Sequence, residues 1–425
     1  MIQKPKGTRD ILPQESYKWQ CIENKVKDLF QNYGFKEIRV PVFENTELFQ
    51  RGVGETTDVV QKEMYTFNDK GGRSITLRPE GTAGVVRAYI ENGMASMPSP
   101  VKLWYNMAMY RYENVQKGRL REFHQIGAEV IGTNSYMSDV ETILMANRIF
   151  EILNIPNINL EINSIGCPEC RKKYQEALKE YIRPNLEEYC ETCKTRFEKN
   201  PLRILDCKEK RCKELNSGAP IILDYLCEEC KTHFENVKNM LDKLNIKYQV
   251  EPGIVRGLDY YSHTVFEIIS DDPKLGAGAT VGGGGRYNGL IEEIGGPATP
   301  GVGFAFGMER LLLALDDEED EDEDGLDCYI MPLGEEAKDL AMQIIAMLRA
   351  NGFTCEMDHV SRGLKGQFKS ADRFNAHFSI ILGEEEVKNE VVNIKCNHDK
   401  EQVVVPLENI LAHIENHLSG GHEHE

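Results

Sequence analysis

No apolar leader is expected from the opening of the sequence. Its opening residues, "MIQKPKGTRDILPQ", contain no hydrophobic stretch of the secretory type, and no uncharged apolar run elsewhere is long enough to span a bilayer. These absences point to a cytoplasmic protein with no membrane partner. There is also no G-x-x-x-x-G-K-[ST] phosphate loop, and "GVGFAFG" at 301–307 has neither the spacing nor the context of a dinucleotide fingerprint. Any nucleotide chemistry must therefore use another fold. Basic residues are outnumbered, giving a net charge of -19, but the run "DDEEDEDED" at 316–324 supplies nine of the negative charges. With nearly half the imbalance in one segment, a nucleic-acid-binding face elsewhere is not excluded. The composition is 41% hydrophobic and 28% charged, as in a folded soluble protein. The 425 residues allow about three domains at roughly 150 residues each.

Three parts follow from the patterning. Residues 1–166 mix a helical pattern at 16–33 with strand-like runs: "FKEIRVPVF", "SITLRP", "KLWYNMAMYRYE", "EFHQIGAEVIG" and "NLEINSIG". Residues 167–246 are Lys/Glu-rich, helical in period, and hold eight of the twelve cysteines. Strand chemistry resumes with "YQVEPGIVRGLDYYSHTVFEII", passes the glycine cluster "VGGGGRYNGL" and ends in "GVGFAFGMERLLLAL". The first domain, 1–166 and 247–315, thus reads as interrupted and then completed. An acidic linker at 316–325 precedes a small βαβ-type domain at 326–416, and a tail at 417–425 is expected to be disordered.

Three stretches can carry chemistry. In "LRPEGTAG", 77–84, Glu80 and Thr82 are acceptors suited to a cationic amine, where a strand turns into a helix; the same turn also serves structure alone. In "YRYENVQKGRLREFHQIGAEVIG", 110–132, strand alternation sets Arg111 and Glu113 on one face of the incoming strand, and Phe123, Gln125, Gly127 and Glu129 on one face of the outgoing strand, pointing the same way. That is a pocket floor for a nucleotide and an amine, or a sheet face with an Arg111–Glu129 ion pair. The third is "IVRGLDYYSHTVFE", 254–267, which reads as a strand carrying Arg256, Asp259, Tyr260 and Tyr261, together with "GVGFAFGMER". In the latter Gly301, Gly303 and Gly307 clear space for a ligand ahead of Arg310.

These stretches, with "PKGTRDILP", "FKEIRVPVFENTELFQRGVGETTDVVQKEMYTF" and "GGGGRYNGL", resemble class II aminoacyl-tRNA synthetases, and most closely the bacterial histidyl-tRNA synthetases, over essentially the whole chain. The resemblance implies an α+β fold: an antiparallel sheet flanked by helices, an inserted helical domain and a C-terminal α/β anticodon-binding domain. It implies a homodimer that activates L-histidine with ATP to histidyl-adenylate and then esterifies the 3' end of tRNA(His). Attack on the α-phosphorus builds charge on phosphate oxygens, so cations aimed at that charge are required. By resemblance, Arg111 and Arg256 hold the α-phosphate from two sides and Arg310 meets the distal phosphate. Phe123 and Glu113 engage adenine, and Mg2+ neutralises the β and γ oxygens.

Also by resemblance, Glu80, Gly81, Thr82 and Gln125 surround the amino group of histidine, Glu129 and Tyr261 contact its imidazole, and Tyr260 and Tyr287 line the same pocket. Gln116, Lys117 and Arg119 would meet the tRNA acceptor end. Asn114-Val115 stands where the family commonly has Arg-Pro, which removes one cation from that contact. In the C-terminal domain Arg362, Lys365, Lys369 and Arg373 form a candidate cationic face.

Cys167/Cys170, Cys190/Cys193 and Cys227/Cys230 are C-x2-C pairs, and Cys207/Cys212 form a looser fourth. They fit one or two structural Zn2+ sites, or inert thiols. Two further functional classes remain at this point: a regulatory paralogue that has lost catalytic arginines or the anticodon domain, and an RNA-binding module without activity.

Overall fold

The computed structural model describes all residues except 56, 255, 276–278, 316–324 and 421–425, and it omits the side chains of 419 and 420. Two compact units result, residues 1–315 and 316–425. The expected acidic linker lies outside the described residues as far as 324.

The first unit is built on an eight-stranded sheet. In chain order its strands are β1 (Lys36–Glu37), β2 (Val101–Tyr110), β3 (Glu122–Ile131), β4 (Ile158–Ser164), β5 (Gln249–Val250), β6 (Ser262–Ser270), β7 (Ala279–Arg286) and β8 (Gly301–Gly307). They lie in the order β1-β2-β3-β8-β7-β6-β4-β5. All inner pairs are antiparallel, while the short edge strands pair in parallel, β1 with β2 and β5 with β4. The expected strand at 35–43 supplies only β1 and the first residue of a separate three-stranded sheet, Phe43–Asn45, Thr66–Asn68 and Ser74–Leu77. Pro41 lacks an N–H and constrains its neighbour, so pairing cannot run through it.

Period-two alternation gives the large sheet two different faces. Ile126, Ala128 and Val130 of β3 join Phe304 and Phe306 of β8 and Phe266 and Ile268 of β6 in the main apolar core. The helix Pro13–Asn32 covers that face with Trp19, Ile22, Val26, Leu29 and Phe30, a three-and-four spacing that forms one stripe. On the opposite face, Tyr105, Tyr260, Tyr261, Val265 and Tyr287 form a second cluster.

One buried ion pair ties the two faces together. Arg286 is fully buried, and its Nε donates to both oxygens of Asp139 at 3.0 and 2.9 Å, in the helix Tyr136–Ile152. Its remaining donors reach the carbonyls of Thr133 and Ser135 and the hydroxyl of Ser138 at 2.8–2.9 Å. Burial alone would raise the Asp139 carboxyl; bonds from His233 and the Arg286 charge outweigh it and hold the group below the usual carboxylate range.

The inserted segment opens with the helix Pro168–Ile182 and packs around Tyr174, Leu178, Phe197, Ile204 and Ile222. The helix Glu228–Lys243, expected to belong to it, instead buries Phe234, Val237 and Leu241 in the main core. The second unit has five strands in the order Cys355–Met357, Cys328–Pro332, Phe378–Leu382, Val391–Cys396 and Gln402–Pro406. The first three are mutually parallel and the last two antiparallel. Its helix Leu364–Arg373 carries Lys365, Lys369 and Arg373, while Arg362 just before it is held by Asp358 at 2.8 Å. The last helix runs Ile410–Gly420, so residues 417–420 of the expected disordered tail are helical. Ile410, Ile414 and Leu418 recur every fourth residue and anchor that helix on the unit's core.

Substituting Arg286→Met strands Asp139 in the interior, and a loss of about 3–5 kcal/mol is expected. Both tryptophans, Trp19 and Trp104, lie in the main core, so their fluorescence during urea unfolding reads this unit. Because the folded-state Asp139 titrates below its unfolded value, its stabilising contribution is full at neutral pH and disappears as the pH falls below about 4. A parent-like urea midpoint would remove the pair as an anchor.

Candidate active site

A cavity of about 240 Å³ opens on the Glu129 face of the sheet, against residues 256–261. Of the residues singled out in the sequence, Glu80, Thr82, Arg111, Gln125, Glu129, Arg256, Tyr260, Tyr261 and Tyr287 all line it. Gly81, Glu113, Phe123, Arg310, Gln116, Lys117 and Arg119 do not.

Glu129 is the floor. It is 1% exposed, and its carboxylate accepts from Thr82 Oγ1 at 2.7 Å and Tyr287 Oη at 2.7 Å, with Tyr105 Oη at 3.4 Å. Burial raises its pKa to about 8 despite those hydroxyls, and the charge of Glu80 adds to the rise. The Arg111–Glu129 ion pair of the alternative reading is not among its partners. Glu80 stands at the start of the helix Thr82–Glu91, accepting from the backbone N–H groups of Thr82 and Ala83 at 2.8 and 2.7 Å, and burial raises it too. Tyr260 Oη donates to Glu80 at 3.4 Å.

The glycines make room for this network rather than for a ligand alone. A methyl group at Gly303 would fall on the Glu129 carboxylate, and one at Gly301 on the Tyr287 ring. Methyl groups at Gly127 and Gly81 would both strike Tyr105. Register explains the crowding: Glu129 faces Gly303 across β3 and β8, and Gly127 faces Tyr105 across β3 and β2. Tyr105 was missed in the sequence, where it reads as one more buried aromatic of "KLWYNMAMY".

The expected strand over 254–267 begins only at Ser262. Before it the chain is irregular, because its polar groups are bound elsewhere. Asp259 N donates to the Val53 carbonyl at 3.1 Å, and Arg203 of the insert donates to the Gly257 carbonyl at 2.6 Å and to Asp259 at 3.3 Å. Asp259 thus faces the insert, while Arg256, Tyr260 and Tyr261 face the cavity. Arg256 lies over the Tyr261 ring at 5.2 Å and donates from Nη1 to Glu267 at 2.5 Å; its Nε is buried with no protein partner.

Strand β2 likewise ends one residue before Arg111. Tyr112 N turns away to the Glu63 carbonyl at 2.7 Å, and Glu113 N bonds back to the Arg111 carbonyl at 2.8 Å, so the expected alternation stops there. Arg111 donates to the Pro79 carbonyl at 2.8 Å and lies over the Phe123 ring at 5.4 Å. Glu113 is 3.7 Å from Arg111 and 3.9 Å from Arg119, and its charge adds to burial in raising Glu63. Two neighbouring carboxylates suit a divalent cation shared with substrate phosphates. Gln116, Lys117 and Arg119 are exposed on the loop, where Gln116 and Arg119 bridge. Arg310, in the helix Met308–Ala314, reaches the carbonyls of Gly118 and Thr280. Burial lowers its pKa, and the charges of Arg119 and Arg111 contribute, so the three guanidinium groups share one electrostatic neighbourhood.

The family model described as histidyl-tRNA synthetase matches residues 7–311, and that of an anticodon binding domain matches 327–417. Relatives include the histidine–tRNA ligase of Acetivibrio thermocellus, 52% identical over 416 residues, which are 97% of this chain and 99% of that protein. That of Clostridium novyi is 54% identical over 411 residues, 96% of this chain and 97% of its own length. The crystal structure of apo S. aureus histidyl-tRNA synthetase superposes with a TM-score of 0.84 at 42% identity, covering 98% of this chain and all of that one, 100%. A carboxylate-floored cavity with two arginines in its wall, beside family matches that span both units, leads to one assignment: the chain belongs to the histidyl-tRNA synthetases, ligases that activate histidine with ATP and transfer it to tRNA.

Proposed function

We propose that histidine lies in the cavity with its imidazole between Glu129 and Tyr261 and its amino group toward Glu80, Thr82 and Gln125. Tyr260 and Tyr287 close the walls, and Gly81 acts by admitting Tyr105 rather than by touching the substrate. The α-phosphate of ATP lies between Arg111 and Arg256. The observation that carries this reading is the Arg256 Nε, a buried donor with no protein partner on a cavity wall. A buried N–H of that kind is costly unless a ligand satisfies it. In the displacement, a histidine carboxylate oxygen bonds to the α-phosphorus as the bond from that phosphorus to the α–β bridging oxygen breaks and pyrophosphate leaves with the electron pair, while these guanidinium groups take up the charge that develops on the α-phosphate oxygens. Arg310 meets the distal phosphate beside Gly118, and Phe123 and Glu113 receive the adenine. Mg2+ held beside Glu63 would screen the phosphate charges.

Gln116, Lys117 and Arg119, exposed on the loop, receive the acceptor end of tRNA(His), and the helix bearing Lys365, Lys369 and Arg373 offers phosphate contacts to the anticodon arm. The functional protein is a cytoplasmic homodimer. Support for the dimer comes from Val42, Phe43 and Phe67, which are 42%, 57% and 49% exposed around the three-stranded sheet. No described helix is long and apolar enough to cross a membrane.

Two outcomes are expected from histidine-dependent exchange of labelled pyrophosphate into ATP. Arg256→Ala should lower the exchange rate by about 10²–10³ with histidine binding retained, as for loss of one donor to a developing oxyanion. Unchanged exchange would take Arg256 out of the mechanism. The second concerns pH. With the Glu129 pKa near 8 and free imidazole titrating near 6.5, the pair holds one proton between those limits. Histidine affinity should therefore peak between about pH 6.5 and 8 and fall about tenfold per pH unit above it, as the shared proton is lost. Glu129→Gln should abolish the alkaline fall and weaken histidine binding; an unaltered alkaline limb in that variant would assign the proton elsewhere.

A further inference from the structure

The order of the cysteines leaves their grouping open, and the fold closes it. Cys167, Cys170, Cys227 and Cys230 form one group, and Cys190, Cys193, Cys207 and Cys212 another; in each, the four Sγ atoms lie within 4.8 Å of one another. Cys167 and Cys170 are 3.5 Å apart at sulfur, and Cys190 and Cys207 are 3.8 Å apart. Four thiolates at about 2.3 Å from a zinc ion occupy a tetrahedron whose edges are about 3.8 Å. A disulfide needs about 2.05 Å, and all eight thiols are free.

The local backbone agrees. Cys167, Cys190 and Cys227 each cap a helix, so each C-x2-C pair spans a helical first turn, which turns its two sulfurs toward one point. Backbone N–H groups point at sulfur: Cys227 N to Cys170 Sγ at 3.1 Å and Cys190 N to Cys212 Sγ at 3.4 Å. Thiols packed as small apolar side chains would explain Cys193, Cys207 and Cys212 in the insert's core. Such packing does not explain the half-buried Cys167, Cys190 and Cys227 completing a four-thiol group twice. Neither group includes a carboxylate or imidazole, and an all-sulfur donor set is soft.

We propose that each group binds one Zn2+ through four thiolates, and that the two ions brace the insert against the cavity wall. The first ion joins the points where the chain leaves the sheet after β4 and where it returns into the helix Glu228–Lys243. Arg171, directly after Cys170, donates to the Tyr261 carbonyl at 3.1 Å, and Arg203, between the second group's cysteines, donates to the Gly257 carbonyl at 2.6 Å. Both guanidinium groups thus hold the segment that carries Tyr260 and Tyr261.

The test is metal analysis of the full-length protein purified without chelator, a count independent of the substrate roles proposed above. About two equivalents of zinc are expected, and about one in each of Cys230→Ser and Cys193→Ser. Cobalt exchanged into the unmodified protein should give the intense sulfur-to-metal charge-transfer bands of tetrathiolate sites, which requires no variant to fold. Less than a tenth of an equivalent of zinc, or one equivalent lost in only one variant, would overturn the two-site assignment. Removing the metal should speed amide hydrogen exchange at residues 257–261 by about tenfold; unchanged exchange there would overturn the bracing role.

Discussion

A carboxylate in an apolar interior is costly unless its oxygens are held, and Glu129 imposes that condition on everything around it. Three hydroxyl groups converge on it from separate elements: Thr82 from a helix, Tyr105 from β2 and Tyr287 from the end of β7. The carboxylate and both tyrosines need space that only glycine leaves. Gly303 gives room to the carboxylate, Gly301 to Tyr287, and Gly127 and Gly81 to Tyr105. The glycine richness of these strands is therefore the steric complement of one buried acid.

The same logic extends outward from the pocket. Tyr287 follows Arg286, whose five donors are absorbed by Asp139 and neighbouring oxygens on the far helix. Fixing Arg286 fixes where Tyr287 starts, and hence one of the short bonds to Glu129. On the other wall the irregular segment 256–261 has no sheet partners; Asp259 N bonds to Val53, and two of its carbonyls are held by side chains of the insert, Arg171 and Arg203. One wall is held by the core and the other in part by an appended domain.

How much of this was legible in the sequence follows from the range of each interaction. Alternation within β3 placed Gln125 and Glu129 together because a strand carries that information locally. The motif order brought Glu80, Arg111, Arg256 and Tyr287 to one site, and the fold assembles all four on one cavity. Local pattern failed where distant groups override it. Tyr112 is drawn off by Glu63, so alternation stops before Glu113; Asp259 is claimed by Arg203, so "IVRGLDYY" is no strand. Pro41 was visible but not weighed against the strand-like run around it. Tyr105 carried no signal of its own, since its significance lies in facing two glycines far apart in sequence. The grouping of the cysteines was likewise beyond reach, because the first C-x2-C pair meets the last one 57 residues on.

The free pocket holds charges that do not balance within the protein. Burial raises the proton affinity of both Glu80 and Glu129, and the Glu80 charge adds to the rise at Glu129, while Arg256 has one buried donor without an acceptor. Burying such groups unpaired destabilises the free protein, and evolution retains the arrangement where ligands complete it. Histidine brings a cationic amine and an imidazole that can share a proton; ATP brings phosphate oxygens. In the proposed binding mode each substrate supplies the partner that one part of the wall lacks, and the attacking carboxylate adds negative charge beside the guanidinium groups. Stabilisation is greatest when charge peaks on the phosphate oxygens, which is the condition for catalysis as opposed to tight binding alone. In the proposed binding mode, an analogue without the imidazole nitrogens offers no polar partner to Glu129 and Tyr261, and is rejected by roughly 10⁴-fold on the general behaviour of such sites. The imbalance that weakens the empty protein is thus also the source of its selectivity.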